Sequence, residues 1–278
     1  MPELPDLLHI QDRLTEALQG RTVAGARVRE PIVLRYAVRG DLALLVGKRL
    51  ASIVRRSHFL VFRFDGLDLC VNPMLAGRFR LGTSGDKDEP SLCFALGFEE
   101  GPELRYLDDK KMGKAYLTAP GEWARIPGMQ GGGLDVLSPQ FTRAAFEERL
   151  RARRDQVRLF LLDKSALDSL GNAYADEVLF AAGIHPKTWC RSLSADDAGR
   201  LHAAIVEVMR EAIEEVARRD EPIEVKVRDF LKVRLKDTCP RCGSKIRRAG
   251  VRGMDAYFCP RCQPATRAGL VEWTRTGR

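Results

Sequence analysis

The spacing of apolar residues changes twice along the chain. Leu7, Ile10, Leu14 and Leu18 recur every three or four residues after two early prolines, which predicts a helix within residues 1–20 that Gly20 stops. From Val23 to Leu117 the period shortens. The runs at 21–28, 50–56, 58–64, 67–74, 77–82, 91–99 and 103–109 are short and rich in Val, Ile, Phe and Leu. Turn signals such as Asp65-Gly66 separate them, so several strands of a sandwich or barrel are expected. Residues 119–133, rich in Gly and Pro, have no period and read as a linker. Helical spacing then returns at 141–152, 156–167 and 174–183. A last long helix is expected to start at Ser194, an N-cap with Asp197 three residues on. It places Leu201, Ile205, Val208, Ala212, Ile213 and Val216 on one stripe, which reads as core.

At 278 residues, two domains are the default. Net charge sharpens the picture because it is uneven. The chain carries +8, yet residues 226–278 hold 14 Lys and Arg against 4 Asp and Glu, while the first 225 sum to −2. A local basic segment is the footprint of a polyanion binder. No apolar run reaches the length of a membrane span, and the first residues lack the basic start of a signal peptide. A protein of the cytoplasm, associated with the nucleoid through DNA and not with membrane, is the expectation.

Of seven cysteines, four form two Cys-Pro-Arg-Cys pairs, Cys239 with Cys242 and Cys259 with Cys262, separated by sixteen residues. Four thiolates in two knuckles fit one closed tetrahedral zinc, a structural ion with no open position for chemistry. Disulfides or plain buried thiols are the competing explanation. The residues between the pairs read as a β-hairpin bearing Lys245, Arg247, Arg248 and Arg252, suited to phosphates. Isolated Cys70, Cys93 and Cys190 read as buried structural residues.

Met1-Pro2-Glu3-Leu4-Pro5-Asp6 at the start, Asn172 within the segment 170–180, and the cysteine hairpin at the end together resemble the formamidopyrimidine-DNA glycosylase/endonuclease VIII family. The resemblance spans nearly the whole chain. It implies an α+β protein of two domains: an N-terminal helix plus antiparallel β-sandwich at 1–118, a linker at 119–133, a helix–two-turns–helix domain at 134–236 and a zinc hairpin at 237–278. It implies a monomer that grips double-stranded DNA holding a damaged base or abasic site across a basic cleft. Removal of Met1 would leave Pro2 a secondary amine able to attack C1′ and expel the base, with Glu3 shuttling protons. Asn172 would bind phosphates beside the lesion, helped by helix N-terminal amides, or act as a plain cap.

This sequence departs from the family's pattern at several positions. His58 stands where a phosphate-contacting Lys is usual, and Asn72-Pro73-Met74-Leu75 replaces a His-Leu-Gly-Met segment, putting Leu75 at the wedge position. Lys110 and Met112 replace an Arg that faces the orphan base and an intercalating Phe. Met254 replaces the hairpin Arg; Arg252, two residues away on the same face of a strand, is the expected substitute, with Arg248 behind it. Only eight residues separate Phe230 from Cys239, fewer than in members that cover oxidised guanine. That feature leans toward the endonuclease VIII side and implies weak 8-oxoguanine activity. A bifunctional glycosylase/lyase is the leading expectation. A damage-binding protein with weakened chemistry, or a zinc-ribbon module for RNA or protein, is the alternative; retention of both Pro2 and Glu3 favours the enzyme.

Overall fold

The computed structural model describes residues 1–37, 40–168 and 170–265; the end of the expected zinc segment, 266–278, lies outside the described residues. The chain divides into two compact units, Met1–Gly131 with Ile213–Val227, and Gly132–Ala212 with the residues from Arg228 onward.

In the first unit, α1 spans Leu4–Leu18. Its first turn is closed by the Asp6 carboxylate, which accepts from the Glu3 backbone N–H at 2.7 Å. Pro5 is tolerated because first-turn amides have no helical acceptor anyway. Gly20, at φ 83°, lets the chain turn away. The expected stripe of Leu7, Ile10, Leu14 and Leu18 is buried.

Among the described residues, nine strands follow: β1 (Val23–Val28), β2 (Leu34–Ala37), β3 (Leu50–Arg56), β4 (Phe59–Phe64), β5 (Leu67–Asn72), β6 (Arg78–Gly82), β7 (Leu92–Phe98), β8 (Glu103–Leu107) and β9 (Lys114–Thr118). They form two sheets, ordered β1-β7-β8-β6 and β2-β9-β5-β4-β3. All pairings are antiparallel except β2 with β9. The sandwich therefore prevails over the barrel. Strands β2 and β9 are not among the runs read from sequence; β2 is four residues long and β9 follows a charged loop, so neither shows a sustained period. The core combines the α1 stripe with Phe62, Leu69, Phe79, Phe94, Leu96 and Tyr106.

Strand β5 is buried on both faces, and alternation assigns its residues. Leu67, Leu69 and Val71 join the main core, whereas Cys70 joins a second cluster with Phe59, Val61, Tyr116, Ile126 and Met129. Asp68 is buried too, and its Oδ2 accepts from Gly121 N at 3.0 Å and Trp123 Nε1 at 2.8 Å. Residues of 119–131 thus pack over the sheet on the way to the unit boundary at Gly131. Their few apolar side chains lack a period because they follow the sheet's contour, not a helix's.

In the second unit, β10 (Leu134–Asp135) pairs in parallel with β11 (Leu167–Asp168). Helices α2 (Arg143–Arg151), α3 (Val157–Leu162), α4 (Asn172–Ala182) and α5 (Ala195–Arg219), whose residues from Ile213 belong to the first unit, fall where helical spacing placed them. Ser194 caps α5: its Oγ accepts from Asp197 N at 3.1 Å, and Asp197 Oδ2 accepts from Ser194 N at 2.9 Å. On α5, Leu201, Ile205, Ala212 and Val216 are buried, while Val208 and Ile213 are only partly so. Strands β12 (Arg247–Val251) and β13 (Met254–Phe258) make the hairpin. Phe180 of α4 packs with Val233, Cys239, Ile246 and Cys259, so the hairpin and the helices share one core. Among the described residues, no helix is long and apolar enough to cross a membrane.

Phe79 sits between Phe62 and Tyr106, with ring centroids 5.8 and 5.4 Å away. Phe79→Ala is expected to cost about 3–5 kcal/mol, read as a lowered urea midpoint; an unchanged midpoint would contradict this account of the core.

Candidate active site and zinc knuckle

Pro2 and Glu3 are buried at the start of α1, Glu3 to 6 % exposure. The terminal nitrogen of Met1 donates to the Leu75 carbonyl at 3.1 Å. That carbonyl also accepts from Lys226 Nζ at 3.3 Å. The amine is pushed down to about 6, by burial first and by the Lys226 ammonium next, against the opposing pull of Glu3 and Asp6.

Leu75 belongs to a tight loop. Asn72 Oδ1 accepts from Met74 N at 3.0 Å, an Asx turn that carries Met74 into positive φ. Asn72 is thereby occupied in shaping the loop. The neighbouring loop after β8 is held by Asp108, buried, whose carboxylate accepts from Lys110 N at 2.9 Å and Gly113 N at 2.6 Å. The two loops converge on the Tyr106 hydroxyl, and a Cβ on Gly77 or Gly113 would collide with it. Only glycine allows this approach. The outcome is a pair of apolar tips, Leu75 at 58 % and Met112 at 39 % exposure, with Lys110 exposed beside Met112. His58 lies in the β3–β4 turn after Ser57 and is buried.

In the second unit, Asn172 opens α4. Arg158, fully buried on α3, donates from Nη2 to Asn172 Oδ1 at 3.1 Å and to the Asp255 carbonyl at 2.9 Å, and from Nε to Asp176 Oδ1 at 2.8 Å. With its oxygen engaged, the Asn172 amide presents its NH2 as donor. Asp176 Oδ2 accepts from Arg234 Nη1 at 2.7 Å and from Tyr257 N on β13 at 3.2 Å. Next to it, Glu177 accepts from the successive backbone N–H groups of Lys232, Val233 and Arg234 at 2.7–2.9 Å. Burial pushes the Glu177 carboxyl up, opposed by those three amides. These carboxylates tie α4 to the segment entering the hairpin.

Arg252 does not stand on a strand beside Met254. It and Gly253 form the two-residue hairpin turn, both at positive φ, 46° and 76°, the geometry that matches strand twist in a tight hairpin. The shared strand face expected for residues 252 and 254 is therefore absent, and Arg252 projects from the tip. Arg248 pairs with Asp255 at 3.5 Å.

The four expected ligands come together. Sγ of Cys242 and Cys259 are 3.5 Å apart, those of Cys239 and Cys262 are 3.8 Å apart, and all four lie within 4.8 Å of one another. Thiolates about 2.3 Å from a central zinc span tetrahedral edges of about 3.8 Å, so the set fits one structural ion. The other three thiols are buried. Burial pushes Cys70 and Cys190 up to about 12 and Cys93 to about 11.

Lys226, Arg158 and Asp176 were missed as site residues by sequence reading. Lys226 registered only as part of the basic segment, and nothing in helical spacing marks a buried Arg–Asp pair.

Sandwich, helical unit and cysteine hairpin together define a DNA glycosylase architecture. Residues 1–115 match the formamidopyrimidine-DNA glycosylase N-terminal domain, 133–220 that enzyme's H2TH domain, and 236–265 the zinc finger found in FPG and IleRS. Formamidopyrimidine-DNA glycosylase of Symbiobacterium thermophilum is 33 % identical over 273 residues, 95 % of this chain and 90 % of that protein. The Bacillus subtilis enzyme is 31 % identical over 95 % of this chain and 99 % of its own length. Among solved structures, MutM (Fpg) of Thermus thermophilus superposes with TM-score 0.83 at 30 % identity, covering 94 % of this chain and 98 % of that one. Lactococcus lactis Fpg, in complex with abasic-site DNA, gives 0.85 at 26 % identity over 95 % and 100 %. The chain belongs to the formamidopyrimidine-DNA glycosylase family. These relatives carry the formamidopyrimidine name; the leaning toward endonuclease VIII rests on the short 231–238 segment alone.

Stripping zinc with a strong chelator is expected to unfold β12–β13 and abolish binding to abasic-site duplex. Protease sensitivity at 239–262 and a gel-shift titration check it, and full binding by zinc-free protein would refute it.

Proposed function

We propose that this protein is a base-excision-repair DNA glycosylase with AP-lyase activity that works through the amine of Pro2 once Met1 is removed. The observation that carries this reading is a terminus held in place: its nitrogen is hydrogen-bonded to Leu75 O, with Glu3 buried behind it. First residues normally fray, and holding one still serves chemistry that needs it.

The neutral secondary amine attacks C1′ of the deoxyribose. The bond from C1′ to the base breaks and the base departs with a proton; the C1′–O4′ bond then opens, O4′ taking a proton from Glu3, and an iminium remains. The iminium acidifies C2′; loss of a proton there expels the 3′ phosphate, and water then frees the enzyme. Glu3 is the group placed to move protons at the sugar and the leaving base. C1′ is inaccessible inside a stacked duplex, so the nucleotide is extruded. Leu75 and Met112 are apolar tips suited to fill the hole and hold the kink. Asn172, through its amide hydrogens, and Arg252 at the hairpin tip are donors for the phosphate backbone. Lys110 faces the orphan base without the planar fork of Arg, so discrimination there is loose. His58, where a lysine is usual, is buried, and Asn72 serves the loop.

The substrate is double-stranded DNA with a damaged base or abasic site, bound by a monomer. Relatives in solved complexes hold abasic-site DNA, Fapy-dG DNA and oxidised-pyrimidine DNA. The eight residues between Phe230 and Cys239 leave little chain to cover an oxidised guanine.

Borohydride treatment with abasic-site duplex is expected to yield a covalent protein–DNA adduct by mass, lost when an extra residue is retained ahead of Pro2. No adduct from the processed protein would refute the mechanism. Across single-lesion duplexes, ring-opened or oxidised pyrimidine substrates should be cleaved at least about tenfold faster than 8-oxoguanine opposite cytosine, a difference of about 1.4 kcal/mol in barrier. Robust 8-oxoguanine excision would overturn this preference.

A further inference from the structure

Two ammonium-bearing residues share one acceptor in the first unit: the terminal nitrogen and Lys226 Nζ both reach the Leu75 carbonyl, at 3.1 and 3.3 Å. Two cations converging on a single oxygen repel each other at short range. The cheap resolution is for one to be neutral, and an α-amine, with an ordinary pKa about 2.5 below that of lysine, is the one that yields its proton. Lys226 also sits close enough to act as a donor to that nitrogen. The carbonyl they share belongs to Leu75, the exposed apolar tip.

We propose that Lys226 is a positioning residue for the terminal nucleophile: its ammonium, anchored on the Leu75 carbonyl, keeps the attacking nitrogen free of a proton and fixes the wedge loop against it. The proposal rests on Pro2 as the nucleophile. Removal of Met1 moves the amine by three covalent bonds, about 3–4 Å, along a chain end that lies beside the Leu75 carbonyl. The charged groups facing this position are Lys226 from the segment after α5 and Glu3 and Asp6 from the start of α1. Glu3 and Asp6 favour the protonated amine; Lys226 opposes them, and burial acts in the same direction as Lys226. Lys226 is therefore the one charged side chain of the three that promotes the reactive form. It lies near the opposite end of the sequence from the helix it serves, which explains why sequence reading counted it only as part of a basic segment.

The test is the pH dependence of borohydride trapping on abasic-site duplex, from about pH 5 to 9, for wild type, Lys226→Met and Lys226→Arg, all processed to Pro2. Removing the cation raises the amine's pKa, so the acid limb of Lys226→Met should move up by about one pH unit. Trapping near pH 5 then falls roughly tenfold and converges with wild type near about pH 9, where both amines are neutral. Lys226→Arg should retain the wild-type limb. Binding to a non-reactive abasic analogue reports folding of each variant. An acid limb unmoved in Lys226→Met, or a uniform loss at every pH, would overturn the proposal, since a structural residue changes amplitude and not the limb. Absence of any adduct from wild type at any pH is a different failure, that of the Pro2 mechanism itself.

Discussion

A terminal amine can serve as a nucleophile only if the fold immobilises it, and helix α1 supplies that constraint. Ordering a chain end costs about 1–2 kcal/mol per residue in backbone entropy alone. The cost is met by five leucine and isoleucine side chains of α1, Leu4, Leu7, Ile10, Leu14 and Leu18, all buried. Each contributes about 1.5–3 kcal/mol on burial. Asp6 closes the first turn, so the helix begins directly behind Glu3. The core starts at the fourth position, directly behind the terminus.

The second unit is organised by charge buried on α4. Asp176 is met by two arginines and a strand amide, and Glu177 by three consecutive backbone N–H groups. Buried carboxylates are tolerated only when their lone pairs are filled. Filling them requires the chain from Lys232 to Tyr257 to lie where it does. Orientation of Asn172 is a by-product of the same network, through Arg158. The knuckle cysteines pack on Phe180 of the same helix, so metal and carboxylates hold one hairpin from two sides.

Much of this was legible in the chain. The α1 stripe, seven of the nine sandwich strands, the Ser194 cap and the four metal ligands each depend on local spacing, which sequence shows directly. What escaped depends on distance. Strands β2 and β9 are defined by pairing partners. The packing of Trp123, Ile126 and Met129 on the sheet has no period of its own. Arg252 was placed on a strand because a two-residue turn can be located only once the register Val251–Met254 is known. The roles of Lys226 and Arg158 arise from contacts across long stretches of chain, to Leu75 in one case and to Asp255 in the other.

Thiol chemistry divides sharply within this molecule. Cys70, Cys93 and Cys190 are so poorly ionised in their apolar settings that oxidants and electrophiles, which attack thiolates, find little to react with there. The sulfurs of the knuckle are the opposite case, since a metal ligand must be deprotonated. Chemical vulnerability is thus concentrated at the cysteine knuckle, and the sandwich thiols are left inert. Oxidation would begin at the knuckle and loosen the β12–β13 hairpin before it reached the sandwich.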